Sequence, residues 1–383
     1  MEDFIYEPWE DSKLLEKHVK ELSKGDVLDI GTGSGIQAEA AASNSKVKSV
    51  LAADIQKEVI VHCKQTIKNK KITFKVSDLF KNVKGKFDTI IFNPPYLPNE
   101  LNLKDIRLDG GKKGYEVIGN FLNSVNEYLK PDGVVMIVFS LLSKKDKVDE
   151  FIANNMLEFE ELSKEHIFFE DIYVYKIWKN DVLKEVEKKG VSDVKKLTKG
   201  HRGLIYTGKY KGSKVAIKVK NPKSEAIGRI VNEINNLKVL DKKNIGPKLL
   251  FCSEDHFVYK FVSGKMILDY ISGEGKMNVI KVLKDVFNQM FVLDKLKINK
   301  EEMHHPLKHV IVGRKPVLID FERANTAYKP HNVTQFCQFV MSSHKLLSSK
   351  NIKVSRKELI ELSKKYKRNP TKENFEGIVK LLK

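Results

Sequence analysis

The stretch "TIIFNPPYLP", residues 89–98, ends an apolar run on an asparagine, two prolines and a tyrosine. That order suits a chemistry in which a flat nitrogen must be held still. The nitrogen of a planar amide or amine attacks only when its lone pair is turned out of conjugation, and two acceptors that hold its two N–H hydrogens fix that orientation. The side-chain oxygen of Asn93 and the carbonyl of Pro94 are two such acceptors. Pro94 and Pro95 stiffen the elbow by fixing φ, and Tyr96 offers a ring face for a flat substrate. A loop made rigid for stability alone is the plainer alternative, and its position at the end of the fourth candidate strand argues against it.

A second stretch, "LDIGTGSGI" (28–36), sets Gly31, Gly33 and Gly35 directly after a strand-like run. Glycines there let the backbone turn tightly and approach a ligand, with the next helix N-terminus facing it. Dinucleotide sites and chance turns share this pattern. Two carboxylates narrow it. Asp54 ends the next run about 20 residues on, where it can accept from both hydroxyls of a ribose. Asp78, in "VSDLF", can reach an adenine amino group. No phosphate-binding signature accompanies the glycines, and Asp29 precedes them. An anion there repels a pyrophosphate and favours the ammonium and sulfonium of S-adenosyl-L-methionine. Together the two stretches point to methyl transfer onto a planar nitrogen.

A third constellation lies in the second half. "VAIK" (215–218), after a Gly-containing hairpin, is the arrangement in which a lysine reaches nucleotide α and β phosphates. Glu233 on the following helix can pair with Lys218, and Glu225 is a less well placed candidate. "VLIDFERA" (317–324) puts Asp320 at the end of an apolar strand, where a metal-binding aspartate would sit. His304, His305 and His309 also suggest zinc, but lack acidic or cysteine company.

The elements that must position these residues follow from periodicity. In the first half, "DVLDIG", "VKSVLAADI", "ITFKVSD", "FDTIIFNPP" and "GVVMIVFS" alternate with helical patterns, the order of a parallel α/β sheet. A late pair around "EFEELSKEHIFFEDIYVYKIWK" follows, in which Tyr173, Tyr175 and Ile177 alternate as a closing antiparallel strand. The second half opens with short strands in "GLIYTGKYKGSKVAIKVK". A helix with Ile227, Ile230, Val231, Ile234, Leu237 and Leu240 on one face comes next, and the rest is mostly helical.

At 383 residues the chain exceeds one comfortable core, and two domains are expected. Charge divides it too: residues 1–180 hold 26 Lys+Arg against 29 Asp+Glu, and the remainder holds 43 against 21. So basic a second half attracts polyanions, and an RNA or ribosome contact is expected, although no stacking motif for sequence-specific RNA reading is present. The three cysteines lie far apart with no CxxC, which fits a reducing cytoplasm. No run is apolar enough to cross a membrane and the acidic N-terminus lacks a signal-peptide profile, so neither membrane insertion nor secretion is expected.

"YEPWEDS" (6–12), "DIGTGSG" (29–35), Asp54, "SDLF" (77–80), "FNPPYLP" (92–98) and "LDGGKKGYEVIGNFL" (108–122) resemble, in order and spacing, the HemK-related methyltransferases of archaea and eukaryotes that methylate a glutamine side chain. The resemblance covers nearly all of residues 1–178. It implies that Ser12, Asp29, Gly31, Asp54, Asp78 and Leu79 contact S-adenosyl-L-methionine, with Gly33 in the same turn, and that Asn93, Pro94, Pro95 and Tyr96 hold the substrate. The implied substrate is the glutamine of the Gly-Gly-Gln loop in a class I translation release factor, and the implied partner is a small zinc-binding activator subunit. An Asn-Pro-Pro-Tyr elbow also occurs in adenine and guanine amino methyltransferases; "YEPWEDS" is what favours the amide. The alternative is a nucleic-acid N-methyltransferase with an RNA-binding or pseudokinase second domain.

Residues from about 185 to 383 resemble the RIO-like and lipopolysaccharide-kinase-like atypical kinases, which implies ATP and Mg2+. The full Gly-rich loop is missing, and "EEMHHPLKHVIV" stands where a catalytic loop would read His-Gly-Asp or His-Arg-Asp with a trailing Asn. Aligned on "VIV", His304 and His309 take the Asp and Asn positions, His304 as a base and His309 as a metal ligand beside Asp320, since neutral imidazole does both. The expected architecture is α/β: a Rossmann-like class I methyltransferase domain (1–179), a charged helical connector (180–199), and a small α+β two-lobed protein-kinase-like domain (200–383).

Overall fold

A computed structural model of the chain describes residues 8–99, 107–167, 170–199, 203–220 and 228–383. The chain divides into two compact units, Met1–Lys196 and Leu197–Lys383.

The first unit runs α1 (Glu10–Leu22), β1 (Gly25–Ile30), α2 (Ile36–Ser43), β2 (Val47–Asp54), α3 (Lys57–Thr66), β3 (Ile72–Val76), β4 (Phe87–Phe92), α4 (Glu116–Leu122), β5 (Leu129–Ser140), α5 (Lys145–Asn154), β6 (Leu157–Ile167) and β7 (Glu170–Lys179). Its seven-stranded sheet has the order β3-β2-β1-β4-β5-β7-β6. The first five strands pair in parallel. β7 runs antiparallel to β5 and to β6. The strand with alternating Tyr173, Tyr175 and Ile177 is thus antiparallel as expected, but it lies inside the sheet and β6 takes the edge.

Helices cover both faces, which is why the strands read as near-continuous apolar runs. Tyr173, Tyr175 and Ile177 pack on one face with Ile118, Phe121, Val148 and Ile152 from α4 and α5. Ile172 and Val174 pack on the other with Leu15, Val19, Ala38 and Val59 from α1, α2 and α3. The strand order reverses between β1 and β4, which pair from Val27↔Thr89 to Ile30↔Phe92. The Gly-rich turn and the Asn-Pro-Pro elbow therefore leave from neighbouring strand ends, at the crevice where open α/β sheets bind ligands.

The segment expected as a helical connector is helical only over α6 (Asp181–Lys188), and Val191–Lys199 is a strand, β8. Asn180 caps α6 by accepting from the Leu183 N–H at 2.8 Å. Gly190, at φ +93°, ends the helix, and the β-branched Val191 and Val194 suit extended chain.

The second unit continues with β9 (Gly203–Tyr210), β10 (Ser213–Lys220), α7 (Arg229–Asp241), β11 (Leu249–Cys252) and β12 (His256–Lys260), and the sheet order is β11-β12-β10-β9-β8. β9 and β10 meet across Lys211 and Gly212, both at positive φ (47° and 74°), the two-residue turn whose twist matches a hairpin. On α7, Ile230, Ile234, Leu237 and Leu240 are buried as predicted, whereas Val231 is 44% exposed, one step round the helix from Ile230. Ile227 and Glu225 lie outside the described residues.

Next come β13 (Lys265–Met266), α8 (Ile267–Gly273), α9 (Lys276–Lys295), β14 (Ile298–Asn299), β15 (Val310–Val312), β16 (Pro316–Leu318), β17 (Asn325–Thr326) and four closing helices, α10 (Asn332–Ser342), α11 (His344–Ser349), α12 (Arg356–Arg368) and α13 (Lys372–Lys380). One apolar cluster joins α7, α9, α10 and α12 through Leu237, Phe287, Phe336 and Leu359. Among the described residues no helix is long and apolar enough to cross a membrane.

Candidate functional site

Gly31, Gly33 and Gly35 all adopt positive φ (66°, 52° and 85°), so the turn after β1 needs the freedom that glycine has. Asp29, at the end of β1, is 1% exposed and accepts from the Thr32 hydroxyl at 2.6 Å. Burial pushes its pKa up to about 7; the Thr32 bond opposes the shift and the Asp54 charge adds to it. Asp54, at the end of β2, is also raised by burial, against hydrogen bonds from the backbone. It accepts from the Gly33 N–H at 3.1 Å and the Gln56 N–H at 3.0 Å, which fixes the turn and leaves carboxylate lone pairs for a hydroxyl-bearing ligand. Neither Asp29 nor Asp54 has an ion-pair partner among the described residues. Two buried carboxylates around a glycine turn, with no cation paired to them among the described residues, fit a cationic nucleoside and disfavour a pyrophosphate.

The Asp78 side chain is 44% exposed and pairs with Lys81 at 2.6 Å. Leu79 takes φ +46°, and its carbonyl accepts from the Ser77 hydroxyl at 2.8 Å.

Beside this cradle, Asn93 follows β4 directly. Its Nδ2 donates to Asp11 Oδ2 at 3.2 Å and to Ser12 Oγ at 3.0 Å. The Tyr96 hydroxyl donates to the same Asp11 oxygen at 3.3 Å. Asp11 and Ser12 open α1 and are buried, 5% and 1% exposed. The Ser12 carbonyl accepts from Gln37 Nε2 of α2 at 2.8 Å, which ties the start of α1 to the helix that follows the glycine turn. The segment containing "YEPWEDS" thus reaches the elbow through its last two residues; Tyr6 and Glu7 lie outside the described residues.

The elbow is gripped from its other side by the "LDGGKKG" stretch. Leu97 N–H donates to the Leu108 carbonyl and Gly110 N–H to the Leu97 carbonyl, each at 2.9 Å. A Cβ on Gly110 would lie 2.7 Å from the Gly114 oxygen, 2.8 Å from Tyr96 Cα and 2.9 Å from the Pro95 oxygen. All three are backbone atoms, so only glycine fits. Sequence reasoning missed Asp11 and the part played by Gly110. The signal for Asp11 was an acidic residue in the first turn of a helix, where it is common for dipole reasons alone.

In the second unit, Lys218 of β10 lies 2.5 Å from Glu233 of α7, 3.2 Å from Asp320 and 3.4 Å from Glu322. Burial alone would depress its pKa, but the Glu233 and Asp320 charges outweigh it and hold the ammonium protonated. Asp320 sits at φ +64°, and the amide after it, Phe321 N–H, donates to Glu233 at 3.1 Å. The predicted Lys218, Glu233 and Asp320 are thus brought together.

His309 joins them. Its Nε2 is 2.9 Å from Glu302, and its Nδ1, with no hydrogen-bond partner among the described residues, is 3.9 Å from Asp320 Oδ2. Burial, with the Lys300 charge, lowers its pKa and keeps the ring neutral near pH 7. His304 does not join the cluster: it is exposed and packs edge-on against His305 at 4.8 Å. The chain turns at Glu302, whose φ is +69°, and it is Glu302 that faces inward.

Two further residues at this cluster were not foreseen. Lys300, 1% exposed, donates to the Asp320 carbonyl and lies 4.6 Å over the Phe321 ring. Burial brings its pKa down to about 8. Glu322, two residues past Asp320, adds a third carboxylate, and oxygens of Glu233, Asp320 and Glu322 all lie within 4.8 Å of one another. In so lysine-rich a chain, neither residue stood out.

Compared with known proteins, residues 10–169 match the methyltransferase small domain family. A Methanocaldococcus jannaschii protein that bears the provisional name protein N5-glutamine methyltransferase is 36% identical over 182 residues, covering 46% of this chain and 92% of its own. A ribosomal RNA small subunit methyltransferase C of Mannheimia succiniciproducens is 29% identical, over 38% of this chain and 41% of its own. A release factor glutamine methyltransferase of Streptococcus pneumoniae is 35% identical, over 29% of this chain and 44% of its own. The chain spans less than half the length of the latter two.

Proposed function

The chain belongs, through its first unit, to the HemK-like protein N5-glutamine methyltransferases, and on that premise we propose that it methylates the side-chain amide of a glutamine in a class I translation release factor. The observation that carries this reading is the pairing, at neighbouring strand ends, of Asp29, a buried carboxylate with no ion-pair partner among the described residues, with the Asn93 elbow. When bound, S-adenosyl-L-methionine supplies an electrophilic methyl group on a sulfonium.

The residues of this chain would act as follows. Asp29 and Asp54 hold the cationic and hydroxyl-bearing parts of the nucleoside, with Gly31 and Gly33 allowing close approach. Ser12, Asp78 and Leu79 border the same cradle. The Asn93 and Pro94 oxygens accept the two N–H hydrogens of the acceptor nitrogen and turn its lone pair toward the donor. Pro95 stiffens the elbow, and the ring of Tyr96 supports the flat amide. Transfer would form the N–C bond at the expense of the methyl–sulfur bond, and one of those two hydrogens would leave as a proton to water.

Incubation with methyl-labelled S-adenosyl-L-methionine and either a release factor or bulk tRNA tests the reading. Label in the release factor, lost when the Gly-Gly-Gln glutamine is replaced, is expected. Label in tRNA alone would make the chain a nucleobase methyltransferase, the activity class named for one of its more distant relatives.

For the second unit, the Lys218–Glu233 pair and Asp320 support a kinase-like nucleotide site. Lys218 would exchange Asp320 and Glu322 for α and β phosphates. Asp320 and the Nδ1 of His309, which has no hydrogen-bond partner among the described residues, would face Mg2+. The position of His304 gives it no part in this reading. The test is a thermal shift with ATP and Mg2+. The zinc-binding activator subunit stands as a proposal that co-purification tests. An RNA or ribosome contact through the basic half is likewise a proposal, for which salt-dependent binding is the assay.

A further inference from the structure

An asparagine side chain has an acceptor at one end and a donor at the other, and only one of its two orientations can accept a hydrogen from a substrate amide. What decides the orientation of Asn93 is therefore part of the mechanism. Two groups touch its inner end, Ser12 Oγ at 3.0 Å and Asp11 Oδ2 at 3.2 Å. A hydroxyl discriminates nothing, because it can donate or accept. A carboxylate accepts only, so the end of Asn93 that faces Asp11 must be the NH2, and Oδ1 is left for the substrate.

We propose that Asp11 is a positioning residue for methyl transfer: its carboxylate fixes Asn93 with the carbonyl oxygen toward the acceptor nitrogen and holds the Tyr96 hydroxyl in the same grip. The idea rests on the reading of the elbow given above. Asp11 is itself held for the task. Its Oδ1 accepts from the Ser12 N–H at 2.7 Å. It lies in the first turn of α1, where the exposed N–H dipoles favour a carboxylate. At 5% exposure, little water can replace it.

One consequence is chemical selectivity. With Oδ1 outward, the elbow welcomes a nitrogen that carries two hydrogens and repels a carboxylate, so a glutamine is accepted and a glutamate refused. A second consequence concerns the isosteric variant. In Asp11→Asn the new amide can offer its own NH2 to Asn93, which favours the reversed Asn93 with its NH2 outward.

The test joins two measurements on the full chain. The first is the side-chain amide cross-peak of Asn93 in 15N-edited NMR, assigned through its disappearance in Asn93→Asp. Asp11→Asn is expected to shift this peak and speed its exchange with water at least tenfold. The second is methyl transfer to the release factor. The kcat of Asp11→Asn should fall about 10- to 100-fold, as for loss of one preorganised contact, while the Kd for S-adenosyl-L-methionine stays within about twofold.

The double variant Asp11→Asn with Asn93→Asp should recover part of the loss, since a carboxylate at position 93 accepts at either end. An unchanged Asn93 peak in Asp11→Asn overturns the proposal. So does a loss of cofactor affinity equal to the loss in kcat, or a double variant no better than Asp11→Asn alone. A wild-type chain that methylates no release factor would instead overturn the glutamine reading, and the Asn93 peak would still decide the role of Asp11.

Discussion

If Asp29 serves the cationic end of the cofactor, cofactor binding must compete with a proton. Burial raises the Asp29 pKa to about 7 in the free protein, and a cation can pair only with the ionised form. The apparent Kd then scales as one plus the ratio of proton concentration to acid constant. That factor is about 1.1 at pH 8, about 2 at pH 7 and about 11 at pH 6, so affinity weakens roughly tenfold from pH 8 to pH 6. Titration calorimetry of S-adenosyl-L-methionine across this range, in buffers of different ionisation enthalpy, also counts the proton released, about half of one at pH 7.

The ligand's own amine titrates too, and Asp29→Asn separates the contributions, because only the protein's share disappears. The variant should bind more weakly at pH 8 and show the shallower slope. The free protein gives an independent check of sign. The folded state raises the pKa of Asp29 above 3.8, so it binds more protons than the unfolded chain, and stability falls as pH rises from about 4 through about 7. Identical pH slopes for wild type and Asp29→Asn, in binding and in melting, would refute the assignment of Asp29 to the cationic end.

Asn93→Ala should reduce methyl transfer at least 100-fold while calorimetry finds the cofactor Kd within about threefold, since Asn93 orients the acceptor; loss of both together would mean that the elbow is structural. Gly110→Ala should destabilise the first unit by about 1–3 kcal/mol through backbone overlap at Tyr96 and Pro95, read as a lowered denaturant midpoint, with methyl transfer falling as the elbow shifts. ATP with Mg2+ at millimolar concentration should raise the melting temperature by several degrees at saturation, and Lys218→Ala should remove the shift; no shift in wild type would count against a nucleotide site.

Much of the candidate site was legible because its parts are local. The Asn93 elbow and the glycine turn with Asp29 before it are each written in about ten consecutive residues, and the hairpin that carries Lys218 in residues 203–220, where proline, positive-φ glycine and period-2 alternation act directly on the backbone. The succession of strands along the first half was legible for the same reason, whereas their order in the sheet, with β6 and not β7 at the edge, was not. The end of the connector helix was also local, marked by Gly190 and the β-branched Val191 and Val194, but the charged composition of the segment masked it.

Residues 1–180 by themselves pointed to a flat nitrogen held beside a cradle for a cationic nucleoside, since those meanings reside in residue chemistry and short spacing. Only the tertiary structure brought Asp11, 82 residues before Asn93, within hydrogen-bond reach of its side-chain nitrogen. Only the structure decided that Gly110 presses on the elbow, and that His309 reaches both Glu302 and Asp320 while His304 faces solvent. The reason is physical. A turn or an alternation is enforced by adjacent residues, whereas contacts between distant segments depend on sheet register, on where a helix starts and on one residue's φ, and small changes in these redirect a side chain entirely.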